Sequence, residues 1–93
     1  MKKLRVFYLK SCPHCIRMFE NWKQLASEDP EIAAIEVEKI EETEEAELAE
    51  RYDYYYVPTI YVGETKLHEG AFDPEKYGVI SEKEALSKVL HSI

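Results

Sequence analysis

The sequence of 93 residues predicts an α/β fold in which one four-stranded mixed sheet is flanked by helices. Three observations carry this prediction. A short apolar run at residues 4–9, with almost no polar interruption after Arg5, is typical of a strand that is buried on both faces. Apolar residues at three- and four-residue steps indicate amphipathic helices, one at residues 13–27 and one at the C-terminal end. A Gly63-Glu64 turn between two strand-like segments indicates a hairpin, and the element order is β-α-β-α-β-β-α.

The first half of the chain contains a predicted strand, a helix and a second strand. Residues 4–9 carry almost no polar interruption, so we expect this strand to be central in the sheet. The helix at 13–27 is expected to end before Pro30. Residues 32–40 alternate between apolar and charged side chains, which predicts a second strand with one polar face. The apolar stripe of the helix consists of Ile16, Phe19, Trp22, Leu25 and Ala26.

A second helix is predicted from its cap and its small apolar residues. Thr43 is one of the residue types that are preferred at the N-cap, and the helix is expected to run from there to Tyr52. The charge run at 41–50 is interpreted as the solvated face of this helix, and an acidic docking surface is the alternative.

A hairpin and a final helix complete the chain. Strands are predicted at 58–62 and 65–69, followed by a surface loop at 71–80 whose purpose the sequence does not indicate. Ser81 and Glu84 have the spacing of a capping box, which predicts the start of the last helix. Its apolar face consists of Ala85, Leu86, Val89, Leu90 and Ile93.

Length and composition limit the classes of protein to which this chain can belong. A chain of 93 residues predicts a single domain, 1–93, with one modest core. The net charge of −7 argues against nucleic acid as a partner, because a phosphate backbone is bound by clustered Lys and Arg. The balance of 45% hydrophobic and 33% charged residues, with no run that resembles a membrane span, predicts a globular protein without a membrane partner. We expect a monomer.

The N-terminal residues and the cysteine count favour the cytoplasm. The segment Met1-Lys2-Lys3-Leu4 resembles the basic start of a signal peptide, but Arg5 and Lys10 interrupt the apolar stretch and a small-residue cleavage site is missing. Only two cysteines in a small chain are typical of catalysis in a reducing compartment rather than of a disulfide scaffold.

The motif Cys12-Pro13-His14-Cys15 follows the first predicted strand and opens the first predicted helix. Two cysteines one helical turn apart lie within the distance that a disulfide can bridge, so the pair can close and open without moving the backbone far. A loop this short gains little chain entropy from a cross-link, which argues against a stabilising role. The motif therefore predicts a redox-active pair.

The position of each cysteine in the helix predicts its role. Cys12 is expected at the N-cap and Pro13 at the first helical position, where a proline loses no hydrogen bond. The unpaired N–H groups and the helix dipole favour a thiolate at Cys12, so we predict Cys12 as the nucleophile and Cys15 as the resolving thiol. A partly protonated His14 would add positive charge and stabilise the reduced form.

A metal site is the alternative function for the cysteine pair. Such sites usually need four ligands, and beyond the two cysteines the chain offers only His14, His68 and His91. We therefore predict no metal, while a metal shared between two chains is left open. His68 and His91 are predicted to be surface residues without a function.

Tyrosines precede the third predicted strand, at positions 52, 54, 55 and 56. Packing in the core or at the sheet end is the prediction for most of them. Tyr56 stands next to Val57 and is predicted to contact substrate.

The element order, the cysteine motif after the first strand and Val57-Pro58-Thr59 before the hairpin resemble the thioredoxin and glutaredoxin superfamily across nearly the whole chain. The resemblance implies a thioredoxin-like fold in which Pro58 is cis and lies against the cysteine motif. It also implies that Val57 presents backbone groups to an extended peptide or to glutathione. Pro13, Val57, Pro58 and Tyr56 are thus the predicted substrate-binding residues.

The details of the motif resemble two branches of that superfamily. Cys-Pro-x-Cys is similar to glutaredoxins, which usually have Tyr at the position of His14, and Cys-Pro-His-Cys is similar to the secreted thioredoxin-fold oxidases. Thioredoxins carry a buried acidic residue at the position of Val6, so we expect water or His14 to accept the proton of Cys15.

The resemblance implies a thiol-disulfide oxidoreductase that acts on protein disulfides or low-molecular-weight thiols. It implies no tightly bound cofactor, with a reductase or glutathione as electron donor, and it leaves glutathione open as a co-substrate. The alternative is a redox-sensing or partner-binding module whose cysteine pair switches an interface with little turnover.

Overall fold

The computed structural model describes residues 3–93, so Met1 and Lys2 of the predicted domain lie outside it. Its strands are β1 (Lys3–Tyr8), β2 (Glu36–Glu41), β3 (Thr59–Val62) and β4 (Thr65–Glu69). Its helices are α1 (Pro13–Glu28), α2 (Pro30–Ala33), α3 (Ala46–Glu50), α4 (Pro74–Tyr77) and α5 (Glu82–His91). Apart from the short helices α2 and α4, this is the predicted order of elements.

The first strand, β1, lies inside a four-stranded sheet of order β2-β1-β3-β4. It pairs in parallel with β2 and antiparallel with β3, and β3 forms an antiparallel hairpin with β4. The mixed sheet, the central first strand and the hairpin are therefore confirmed. Because Phe7 lies beside Thr59, the end of β1 meets the start of β3, and the end of β2 lies at the same edge. This edge brings the cysteine motif to the segment before Pro58.

Both faces of the sheet are covered by packed side chains. On one face, Leu4 and Val6 pack with residues of α1 and α5. On the other face, Phe7 packs with Ile40 and Tyr61. The three β1 side chains are fully buried, which explains why the sequence of this strand does not alternate.

Across residues 3–93, no helix has both the length and the apolar character that crossing a membrane requires.

The buried stripe of α1 differs by one position from the prediction. It consists of Cys15, Met18, Trp22 and Leu25. Trp22 is in the core, as predicted, but Ile16 was expected on this stripe and is 47% exposed. The physical reason is that Cys15 faces the sheet, and a neighbouring residue in a helix points about 100° away.

The prediction of a second strand at 32–40 is wrong at its start. Residues 30–33 form α2, in which the Asp29 side chain accepts a backbone N–H hydrogen bond at 2.9 Å and Pro30 occupies the first turn. A capping aspartate followed by proline favours a helix, and it outweighs the apolar alternation. The strand begins only at Glu36.

The helix predicted from Thr43 to Tyr52 is shorter than expected. It begins with Glu45 at the N-cap, and it ends at Glu50. Thr43 does not cap it, because its backbone N–H and its hydroxyl donate to the Glu41 carboxylate at 2.6 and 2.5 Å. Thr43 therefore belongs to a turn that joins β2 to α3.

The predicted loop at 71–80 contains one helical turn, α4. The Asp73 side chain accepts a hydrogen bond from Lys76 N at 3.1 Å, and Pro74 occupies the first position. The last helix begins as predicted, because Ser81 Oγ accepts from Glu84 N at 3.1 Å.

Candidate active site

Cys12 stands at the N-cap of α1, and Pro13 occupies the first turn. The Cys12 backbone is extended, with φ −79° and ψ 118°, and its carbonyl accepts the first helical hydrogen bond, from Ile16 N at 3.0 Å. This backbone geometry is the predicted one. It places the half-buried Cys12 thiol at the N-terminal end of α1, where the side chain forms no capping hydrogen bond.

Cys15 lies one turn further along and is 1% exposed. Burial first, together with a hydrogen bond with the Cys12 thiol, raises the pKa of the Cys15 thiol to about 12. The two free thiols are therefore close enough for Cys12 to affect Cys15, and they differ in accessibility. Cys12 is thus partly accessible from solvent, whereas Cys15 is protonated and shielded from solvent.

The segment before β3 lies opposite the Cys12 thiol. The Val57-Pro58 peptide bond is cis, as the resemblance implies. The Cys12 Sγ is 4.0 Å from the Val57 carbonyl oxygen, a long S–H···O contact in which the thiol donates. The structure thus brings together Cys12, Cys15, Val57 and Pro58, which are far apart in the sequence.

Two of the tyrosines before Val57 pack in the core, and two face solvent. The rings of Tyr52 and Tyr54 lie 4.7 and 5.0 Å from the ring of Phe7. Tyr55 is 85% exposed and Tyr56 is 71% exposed. The exposed Tyr56 is adjacent to Val57, so it remains a predicted substrate contact.

Arg17 forms a polar cluster with His14 on the exposed side of α1. Its Nη2 donates to His14 Nδ1 at 2.6 Å, and its Nε donates to Glu82 Oε1 at 3.0 Å. A guanidinium only donates, so His14 Nδ1 is the acceptor of this hydrogen bond. Arg17 is a positive charge near the cysteine motif, and its pKa is raised by Glu82 first and by a negative Cys12 last. A role of His14 in the chemistry remains a prediction.

The Glu41 carboxylate fixes the turn that leads to Cys12. It accepts a hydrogen bond from Lys10 N at 3.1 Å, in addition to the bonds from Thr43. The Thr43 hydroxyl first, and the Lys10 N–H second, lower the pKa of Glu41 to about 2. The carboxylate is thus charged throughout the neutral range, and it ties the end of β2 to the residue two before Cys12.

His68 is buried, and the prediction that it is a surface residue is wrong. It is 3% exposed, its Nε2–H donates to Gly70 O at 2.6 Å, and its Nδ1 accepts from Tyr77 OH at 2.6 Å. The ring stacks on Phe72 at 3.8 Å. Burial lowers the pKa of His68 to about 4, so the imidazole is neutral and joins β4 to α4. His91 lies at the surface beside Asp29.

Arg17 and Glu41 are residues that the sequence analysis did not select. Arg17 had a local signal, because it follows His14 by three positions on a helix, the spacing at which side chains meet. Glu41 had none, because its partner Lys10 is 31 residues away.

The comparison with known families agrees with this geometry. The family model described as a thioredoxin domain matches residues 2–86. No curated protein matches the chain. The matched range contains the cysteine pair, cis-Pro58 and all four strands. Two nearby thiols at the start of a helix fit a redox role. The chain belongs to the thioredoxin domain family.

Proposed function

We propose that this protein is a thiol-disulfide oxidoreductase in which Cys12 attacks and Cys15 resolves. The observation that carries the proposal is the asymmetry of the two thiols. Cys12 is partly exposed at the start of α1, and Cys15 is 1% exposed behind it. An exposed thiol at a helix N-terminus and a buried protonated partner are the arrangement that sequential thiol exchange requires.

The reaction consists of two exchanges. The Cys12 thiolate attacks one sulfur of a substrate disulfide, so a Cys12–substrate bond forms, the substrate S–S bond breaks and the leaving sulfur takes a proton from solvent. Cys15 then loses its proton and attacks Cys12 Sγ, which releases the second substrate thiol. The substrate gains two electrons, and the protein is left with a Cys12–Cys15 disulfide.

The order of the two steps follows from the charges. A negative Cys12 is one of the causes that raise the pKa of Cys15. Once Cys12 forms the mixed disulfide it has no charge, and this contribution disappears. Cys15 therefore becomes easier to deprotonate at the moment when it is needed. Water or His14 accepts its proton in this proposal.

The partners of the proposed reaction are protein disulfides or low-molecular-weight thiols, with Pro13, Val57, Pro58 and Tyr56 around the substrate. The chain works as a cytoplasmic monomer without a tightly bound cofactor. A reductase or glutathione reduces it again.

The first experiment measures the midpoint potential of the Cys12–Cys15 pair. The protein is equilibrated in graded glutathione buffers, and mass spectrometry separates dithiol, disulfide and glutathione adduct. Turnover is measured in parallel with insulin as the disulfide. A reversible midpoint with turnover is the expected result. Reversible oxidation that changes partner binding without turnover would favour the redox-sensing module instead.

A further inference from the structure

The segment 53–57 presents its backbone to Cys12 without belonging to a helix or a strand. Such a segment has no ladder or helical hydrogen bonds to hold its shape. Ordering each of its residues costs conformational entropy. Other contacts must offset this cost if the segment is to keep its position.

A single carboxylate binds two neighbouring backbone N–H groups of this segment. Glu69, the last residue of β4, accepts hydrogen bonds at Oε2 from the backbone N–H groups of Tyr55 and Tyr56, the second at 3.0 Å. Its Oε1 accepts from Lys66 Nζ at 2.7 Å. The hydrogen bond from Lys66 first, and that from Tyr55 second, lower the pKa of Glu69 to about 2. Both N–H groups are thus held by a charged acceptor, the stronger type of hydrogen bond.

Neighbouring contacts hold the same segment from its other side. Gly70 N donates to Pro58 O at 2.8 Å, and Thr59 Oγ1 donates to Tyr56 O at 2.5 Å. Gly70 has φ +82°, and a Cβ there would lie 3.3 Å from the Tyr56 Cβ, so the chain approaches closely at a position that favours glycine. Lys76 Nζ donates to Glu69 O at 2.7 Å and adds a link to α4.

The side chains of the same two residues point the other way. The Tyr55 and Tyr56 side chains are exposed, while their N–H groups face Glu69. The segment therefore combines a fixed backbone next to Cys12 with two exposed aromatic rings. A small disulfide needs only the Cys12 thiol, whereas an extended chain can also use the backbone and the rings.

We propose that Glu69 is a positioning residue that holds segment 53–57 ready for an extended polypeptide disulfide and makes this the preferred substrate class. The proposal rests on the proposed function. A segment that is ordered before binding has less entropy to lose when a polypeptide binds, so the benefit appears in KM for long substrates.

The test compares Glu69→Gln with Glu64→Gln, a charge-matched control on the exposed turn of the same hairpin. Two disulfides are used, insulin and bis(2-hydroxyethyl) disulfide. In Glu69→Gln we expect KM for insulin to rise about fivefold or more with kcat little changed, and kcat/KM for the small disulfide to stay within about twofold. The control should match the wild type with both.

Amide hydrogen exchange gives a readout that does not depend on activity. The amides of Tyr55 and Tyr56 should exchange about tenfold faster in Glu69→Gln, because a neutral amide replaces the charged acceptor. Unchanged exchange, or an equal loss of activity with both disulfides, would overturn the proposal. If the wild type reduces neither disulfide, the proposed function and its substrate class fail, and exchange alone decides whether Glu69 holds the segment.

Discussion

The two sides of the candidate active site are built in different ways. The helix side, residues 10–17, carries the reactive groups as side chains of one turn: Cys12, Cys15 and, beside them, Arg17. The loop side, residues 53–58, contributes backbone groups around cis-Pro58. Side chains outside this loop hold it in place. The Glu69 carboxylate accepts from the backbone N–H groups of Tyr55 and Tyr56. His68 donates to Gly70 O, and Gly70 N donates to Pro58 O.

The helix side therefore supplies the reactive thiols, and the loop side positions backbone groups beside them. The proposed roles of the helix-side thiols follow from local spacing and from the helix that they open. The loop side has no reactive side chain of its own, and it contributes the position of its backbone groups. Changes on the helix side should therefore alter chemical steps, and changes to the supports of the loop side should alter stability or substrate binding.

Replacing each thiol in turn is expected to give the largest effects. Cys12→Ser should lose turnover of insulin by about a thousandfold or more, because no exposed thiolate remains to form the mixed disulfide. Cys15→Ser should also fail to turn over, but it should accumulate a mixed disulfide on Cys12, which mass spectrometry detects as an adduct.

The contrast between the two serine variants is itself the control, since both remove one thiol from the same turn. An adduct on Cys15 in Cys12→Ser, or residual turnover in that variant, would contradict the assigned roles.

The sequence predicts the helix side better than the loop side for a physical reason. The cysteine pair and its helix are contiguous, and the strands and long helices leave periodic apolar patterns that fix their type. The supports of the loop side are not contiguous, because Glu69 binds Tyr56 N across 13 residues, and a single glutamate in a strand has no pattern that announces its partner.

The two short helices escaped the sequence analysis for a related reason. Four residues are too few for a helical period, so α2 and α4 could not appear as apolar stripes. Both nevertheless begin with the same local signal, Asp29-Pro30 and Asp73-Pro74, in which the aspartate caps and the proline starts the helix. His68 was misplaced because one polar residue on a hairpin gives no sign that α4 covers it.

Lowering the pH should reduce the free energy of unfolding through His68, which supports the loop side, and this effect should be of intermediate size. Burial lowers the pKa of His68 to about 4, whereas an unfolded histidine titrates near 6.5. Between these values the unfolded chain binds a proton that the folded chain does not, so the free energy of unfolding falls as pH falls through this range. The full effect is about 3 kcal/mol, of which about 2 kcal/mol is lost between pH 7 and pH 5.

Urea unfolding at pH 7 and pH 5 measures this loss. The lowered pKa values of Glu41 and Glu69, about 2, affect stability only below the usual glutamate pKa of 4.5, so the window above pH 5 isolates the histidine. His68→Gln should remove most of the difference between the two pH values, and His91→Gln, which changes an exposed histidine, should keep it. A full difference in His68→Gln would show that His68 is not its source.

Charge on the helix side should produce the smallest effects, and their signs are opposite. In a Cys15→Ser background, where Cys12 is the remaining thiol, the rate of alkylation by iodoacetamide at pH 7 reports the thiolate fraction. Arg17→Gln should slow alkylation about two- to fivefold, because a cation near the thiolate is lost. Glu82→Gln should accelerate it, because the carboxylate that partly neutralises Arg17 is removed. Changes of the same sign in both variants would rule out Arg17 as the charge at Cys12.

His14→Ala decides which residue on the helix side carries that charge. His14 Nδ1 accepts from Arg17, so its removal should change the alkylation rate by less than about twofold while Arg17 stays beside Glu82. If His14→Ala slowed alkylation as much as Arg17→Gln, the imidazole would be the cation. The electrostatics of Cys12 would then be encoded within the motif, as its chemistry is, and Arg17 would act by positioning the ring.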